Sequence, residues 1–138
     1  MAVALAAVAA ALTFPHGLVE LATPSARVTL RVDIANTDAR RAQGLMGRTR
    51  LARRVGMLFT FPNAVRGGFW MKETLIPLSI AFADEHGQIL RVLDMTPCRS
   101  DPCRIYDPRV AYSSALEVNR GAFRRWGVRA GDWLVRLK

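Results

Sequence analysis

Lys72 is one of only two lysines in the chain, and it stands inside a mostly apolar stretch, Phe69-Trp70-Met71-Lys72-Glu73-Thr74-Leu75-Ile76-Pro77-Leu78. An ammonium so placed needs a carboxylate, a ligand or a path to water, because an unpaired charge is costly to bury. Trp70 supplies an apolar wall, and Arg48 and Thr74 supply further donors, so the set suits a small anionic or polar ligand. Glu117 is the acid expected to pair with Lys72 or Arg48, or to orient a ligand hydroxyl. An internal ion pair that only completes the fold is the competing use of that carboxylate. In an extended segment Trp70 and Lys72 share one face and Met71 takes the other. With Met71 in the core, Lys72 lies beside the indole on the outside. With Trp70 in the core, Lys72 turns inward to meet Glu117 or Asp94.

Two other chemistries compete for the same residues. A desolvated lysine can serve as a base or nucleophile, which makes an enzyme using Lys72 with Glu117 or Asp94 the first alternative. Met46, Met57, Met71 and Met95 carry soft thioethers that would suit Cu(I), and they equally suit core filling. The chain has no Gly-x-Ser-x-Gly, no Gly-rich phosphate loop and no His-Glu-x-x-His, so no cofactor is expected. Its two histidines, His16 and His86, are too distant in sequence to suggest a metal pair, and no metal site is expected. Cys98 and Cys103 enclose the polar loop Arg99-Ser100-Asp101-Pro102, which favours a structural disulfide in an oxidising compartment.

The elements that must position these residues are short. Val28, Leu30, Val32 and Ile34 alternate with polar residues as a half-buried strand. Asn36-Thr37-Asp38 caps a helix over Ala39–Gln43 that Gly44 can end. Strands follow at Gly56–Phe61, Leu78–Ala83, Gln88–Asp94, Tyr112–Val118 and Trp133–Leu137, with a helical turn over Gly121–Trp126. Asp84-Glu85-His86-Gly87 joins two of them as a hairpin loop. Helices do not alternate with strands as a parallel doubly wound sheet requires. The expected class is α+β: a mainly antiparallel, barrel-like sheet of six or seven short strands with two short helices.

At 138 residues, with 51% apolar content, the chain has room for one packed domain. Met1 to Val19 lacks acidic and basic side chains except His16, and Ala2–Leu12 contains only Ala, Val and Leu. Pro15 and Gly17 interrupt this stretch well short of the roughly 20 residues that span a bilayer. The reading is a targeting segment over residues 1–22, a single domain over 26–138, and a periplasmic or secreted protein without a transmembrane span in its mature domain. Lys and Arg number 20 against 11 Asp and Glu, a net charge of +9. Eighteen of those 20 are Arg, dispersed apart from the pairs Arg40–Arg41, Arg53–Arg54 and Arg124–Arg125, so nucleic acid is disfavoured as a partner.

Taken in order, five blocks carry a resemblance. They are Arg40-x-x-x-Gly44-Leu45-Met46-x-Arg48, Gly56-Met57-Leu58-Phe59-x-Phe61, Phe69-Trp70-Met71-Lys72-x-Thr74-x-Ile76-Pro77-Leu78-x-Ile80-Ala81-Phe82, Leu116-Glu117-Val118-Asn119-x-Gly121 and Gly131-Asp132. The chain resembles domain-of-unknown-function family 192 from about Val28 to Val135. It has Glu73 where that family usually has Asn, and Ser79 where it usually has Asp. The resemblance implies a small extracytoplasmic α+β domain with a barrel-like sheet. Secreted members also carry the Pro-Cys…Asp-Pro-Cys loop matched at Cys98 and Cys103. No established activity comes with the family. The expected function is therefore an exported module binding a small anionic or polar ligand through Arg48, Trp70, Lys72, Thr74 and Glu117.

Overall fold

In β2 (Arg27–Ala35) the period-two pattern holds: Val28, Leu30, Val32 and Ile34 are buried together and the intervening residues face outward. This strand sits in a seven-stranded sheet within a computed structural model that describes residues 12–138. The other strands are β1 (His16–Ala22), β3 (Val55–Val65), β4 (Leu78–Ala83), β5 (Ile89–Met95), β6 (Tyr112–Asn119) and β7 (Trp133–Arg136). Helices α1 (Asp38–Gln43) and α2 (Ala122–Arg125) complete the described elements.

The sheet runs β5-β4-β6-β3-β2-β1-β7. Every pairing is antiparallel except β2 with β3, which are parallel and joined through α1. The sheet curls into a half-barrel, and its two edges meet at one end. There Gln88 bridges Trp133, and Leu134 N–H donates to the Gly87 carbonyl at 2.7 Å. Gly87 makes this approach possible. Its φ is +87°, and an added Cβ would collide with the Leu134 carbonyl. The expected α+β, mainly antiparallel barrel-like class is thus the observed one, with one parallel pair added.

Curling creates two apolar layers. One contains the inward residues of β1 and β2 with Leu58, Leu116, Val118, and Phe123 of α2. The other contains Met57, Phe59, Leu78, Ile80, Phe82, Met71 and Met95. Strands β3, β4 and β6 lie mid-sheet and contribute to both layers, so β4 is buried along its whole length. Met57, Met71 and Met95 are core residues, almost fully excluded from solvent, and a copper site finds no support in that packing.

The start of the domain needs correction. Residues 16–22, assigned to the targeting segment, form β1, which pairs with β2 on one side and β7 on the other. Val19 and Leu21 are fully buried, so the domain begins well before residue 26. Alternation in Leu18-Val19-Glu20-Leu21 is real, but it is masked by the apolar run that precedes it. Residues 1–11 of the expected targeting segment over 1–22 lie outside the described residues. Among the described residues, no helix is long and apolar enough to cross a membrane.

Candidate functional site

Strand β6 sets the floor of the site. Ala115 and Glu117 point to one side of the sheet and Leu116 and Val118 to the other, as period two requires. Glu117 stands opposite Met57 on β3 and Ile80 on β4, so a carboxyl is placed in the middle of an apolar layer. It is only 4% exposed, and no ion pair or side-chain hydrogen bond engages it among the described residues. Burial pushes its pKa up to about 8, because leaving water disfavours the charged form. At neutral pH this carboxyl is mostly neutral and presents both an O–H donor and a carbonyl acceptor.

Above Glu117 opens a pocket of about 480 Å³. Aromatic rings wall it: Phe59 and Phe69 meet edge to face at 4.8 Å, and Phe61 and Tyr112 at 5.7 Å. Thr74 joins the floor, while Trp70, Ile105 and Arg66 form the outer rim. The Tyr112 hydroxyl donates to the Gly67 carbonyl at 3.0 Å, and its pKa is raised to about 12 by burial and then by Asp107. Arg41, in the last turn of α1, also reaches the pocket. Its guanidinium donates to the Thr60 carbonyl at 2.6 Å and to Asp38 at 2.8 Å, and lies 5.0 Å from the Phe61 ring centre. These contacts fix Arg41 without pairing it to Glu117.

Three of the five expected ligand residues, Trp70, Thr74 and Glu117, converge on this pocket, and two do not line it. Arg48 is held away by a 2.7 Å ion pair with Asp33, which also accepts a 2.8 Å contact from His16. Lys72 takes Asp101 as its acid, at 3.4 Å, and its ammonium sits 5.5 Å from the Trp70 ring centre. Met71 is buried and Trp70 is 48% exposed, so Lys72 lies outside, beside the indole. It meets neither Glu117 nor Asp94, the two acids expected as its working partners. Asp94 instead accepts from Ser79 at 2.6 Å and faces Arg124 at 3.5 Å.

Sequence reasoning missed Arg41, Phe59, Phe61 and Tyr112. The available signal was positional, since Gly44-Leu45-Met46 and Phe59-x-Phe61 all reach the pocket. The Cys98–Cys103 disulfide is present, with the two Cα atoms 5.5 Å apart. It closes the loop bearing Asp101 and lies just ahead of Ile105 at the rim.

Residues 19–135 match the model of domain-of-unknown-function family 192, described as Uncharacterized ACR. This chain belongs to that family. Two crystal structures share the family 192 fold found here. One, from Sinorhizobium meliloti 1021, is provisionally named a transcription regulator. It is 33% identical with a TM-score of 0.86, over 92% of this chain and 98% of that one. The other, a protein of unknown function from Novosphingobium aromaticivorans DSM 12444, is 29% identical with a TM-score of 0.80, over 97% and 99%. No curated protein matches.

This member of family 192 departs from the family pattern at two positions with visible consequences. Glu73 has a φ of +55°, a left-handed conformation that the usual Asn adopts more readily. Ser79 takes the place of the usual Asp. Its hydroxyl donates to Asp94 across the β4–β5 pair and accepts from the Gly121 N–H at 3.0 Å, tying the start of α2 to the sheet.

Proposed function

We propose that this family 192 domain is an exported module that takes one small polar ligand into the Glu117 pocket. A buried carboxyl without a protein partner, set beneath an open aromatic-walled concavity, carries the reading. That carboxyl makes no side-chain hydrogen bond among the described residues and opens onto the pocket, so a ligand that supplies one would take the place of solvent there. The neutral carboxyl pairs best with a group that both donates and accepts, such as an amide or hydroxyl, while the ligand's apolar body rests against Phe59, Phe61 and Phe69. The floor is a carboxyl, Arg48 and Lys72 are held elsewhere, Arg41 is engaged by Asp38 and Arg66 stays on the outer rim, so the polar half of the expected ligand class is favoured over the anionic half. Export draws support from the apolar start of the chain and from the disulfide.

A thermal-shift screen of small amides, alcohols and sugars at pH 6 tests the proposal. A binding compound should raise the melting temperature, and its affinity should fall as pH rises through about 8 and Glu117 ionises. Glu117→Gln should keep the binding and lose that pH dependence. An amine that binds more tightly with rising pH would reassign the ligand class to cations. No stabilisation by any compound, with identical behaviour in Glu117→Gln, would refute the pocket as a binding site.

A further inference from the structure

Arginines that are far apart in the chain meet in a second concavity, which shares no lining residue with the Glu117 pocket. Arg53 and Arg54 lie in the turn leading into β3, and Arg125 ends α2 beside Trp126. Together with Asn119 of β6 they line a groove of about 370 Å³ into which no Asp or Glu projects. None of the three guanidinium groups is ion-paired among the described residues, and residues 1–11 contain no acid. Five of the chain's eleven acidic side chains are engaged by other cations: Glu20 with Arg27, Asp33 with Arg48, Asp38 with Arg41, Asp94 with Arg124 and Asp101 with Lys72.

The frame around these cations is fixed. Arg54 has a φ of +53°, where glycine is the relaxed choice, and its carbonyl accepts the Arg31 N–H at 3.0 Å. The Asn119 side-chain amide donates to the Leu51 carbonyl at 2.7 Å, which ties the arginine-bearing turn to β6. On the opposite side, α2 is anchored by buried Ala122 and Phe123, and the Trp126 ring stands edge-on to Phe123 at 6.2 Å. Like charges gathered in a concavity with no counter-charge raise its potential and favour a multivalent anion.

We propose that this groove binds the phosphate group of a small molecule, with Arg53, Arg54 and Arg125 as donors and Trp126 as a flat wall for the rest of the ligand. A phosphate matches three forked guanidinium groups better than a carboxylate, because it offers more oxygens and a second negative charge. The remaining arginine pairs argue for a small ligand over a polyanion. Arg40 is bonded to Asn36 and the Thr13 carbonyl, Arg41 to Asp38 and the Thr60 carbonyl, and Arg124 to Asp94. Other arginines without an ion pair among the described residues, such as Arg66, Arg91, Arg104 and Arg109, lie outside this groove, which gathers three such side chains with no acid in one concavity.

Inorganic phosphate and pyrophosphate, titrated into the full chain at constant ionic strength against chloride, provide the test. The Trp126 indole N–H resonance, assigned with Trp126→Phe, should shift saturably, and pyrophosphate should bind more tightly. Arg53→Gln combined with Arg125→Gln should weaken binding at least tenfold with an unchanged melting curve, since both side chains are exposed. Phosphate acting no differently from chloride, or binding unaffected by the double variant, would overturn the assignment. So would a short DNA duplex that binds with a steep salt dependence while phosphate fails to saturate, because the groove would then belong to a polyanion surface.

Discussion

Glu117 owes its chemistry to its place on β6, and stability should register that placement as pH changes. In the unfolded chain its carboxyl ionises near the ordinary 4.5, whereas in the folded chain it keeps its proton until about 8. Between those values the folded state holds the extra proton, so the contribution of Glu117 to stability is fully present below about pH 4.5 and is lost as pH rises toward 8. The slope is on the order of 1.4 kcal/mol per pH unit across that window, which sums to several kcal/mol. Glu117→Gln should remove this component. Urea midpoints at pH 5 and pH 8.5 would measure it, and parallel pH profiles for variant and parent would show that Glu117 is solvated. Lys72 should behave in the opposite way. Its partner is an exposed Asp101 and no buried acid depends on it, so Lys72→Met should change stability by less than about 1 kcal/mol. A loss of several kcal/mol in denaturant titration would contradict the outward placement. The side-chain alternation around Lys72 was readable, because Trp70, Met71 and Lys72 lie consecutively in one segment. The acid that Lys72 meets was not, since Asp101 reaches it through a loop closed 29 residues later.

At the scale of elements, local signals were strong where one strand or cap decides the outcome. The Thr37 hydroxyl caps α1 by accepting the Arg40 N–H at 3.2 Å, and β4 and β5 form the hairpin that the Asp84–Gly87 turn announces. Register across strands was hidden. Glu117 faces the aromatic pocket because β6 lies between β3 and β4, an order that pairs strands distant in the chain. The extension of β3 through Pro62 to Val65 was hidden as well, since the β3–β6 register shifts between Thr60 and Val65 and the proline falls in that irregular part. The disulfide loop shows how an element far along the chain shapes the rim. Phe69 and Tyr106 exchange backbone hydrogen bonds at 3.1 and 2.7 Å, and the Cys98 N–H donates to the Met71 carbonyl at 3.3 Å. Replacing both cysteines with serine should cost about 2 kcal/mol by the loop-entropy relation for so small a ring. The loss should concentrate at the Phe69–Tyr106 bridge, where amide hydrogen exchange should accelerate while β1 and β2 stay protected. Unchanged exchange there would mean that the loop holds its shape without the bond.

At the scale of the whole molecule, the chain's start and its sheet make competing demands on the same residues. A targeting segment ending at Ala22, if removed, would take β1 with it, leaving β2 and β7 without the strand that joins them. The ties extend further back: the Pro15 carbonyl accepts the Ile34 N–H at 2.8 Å, and the Thr13 carbonyl accepts from Arg40 at 2.8 Å. A cut ahead of Thr13 would leave β1 and both of these contacts in place, whereas a cut at Ala22 would not. Deletion of residues 1–11 should leave a cooperative thermal transition, because the β2–β1–β7 ladder remains whole. Deletion of residues 1–22 should abolish it. The second deletion exposes the partners of Val19 and Leu21, two fully buried side chains, each contributing about 2 kcal/mol, and also strips the ladder hydrogen bonds from two strands. That sum rivals the total stability of a small domain. Circular dichroism melts of the two truncated chains would decide the matter, and a cooperative melt in the shorter one would show that β1 is dispensable and that the domain can begin at residue 26 after all.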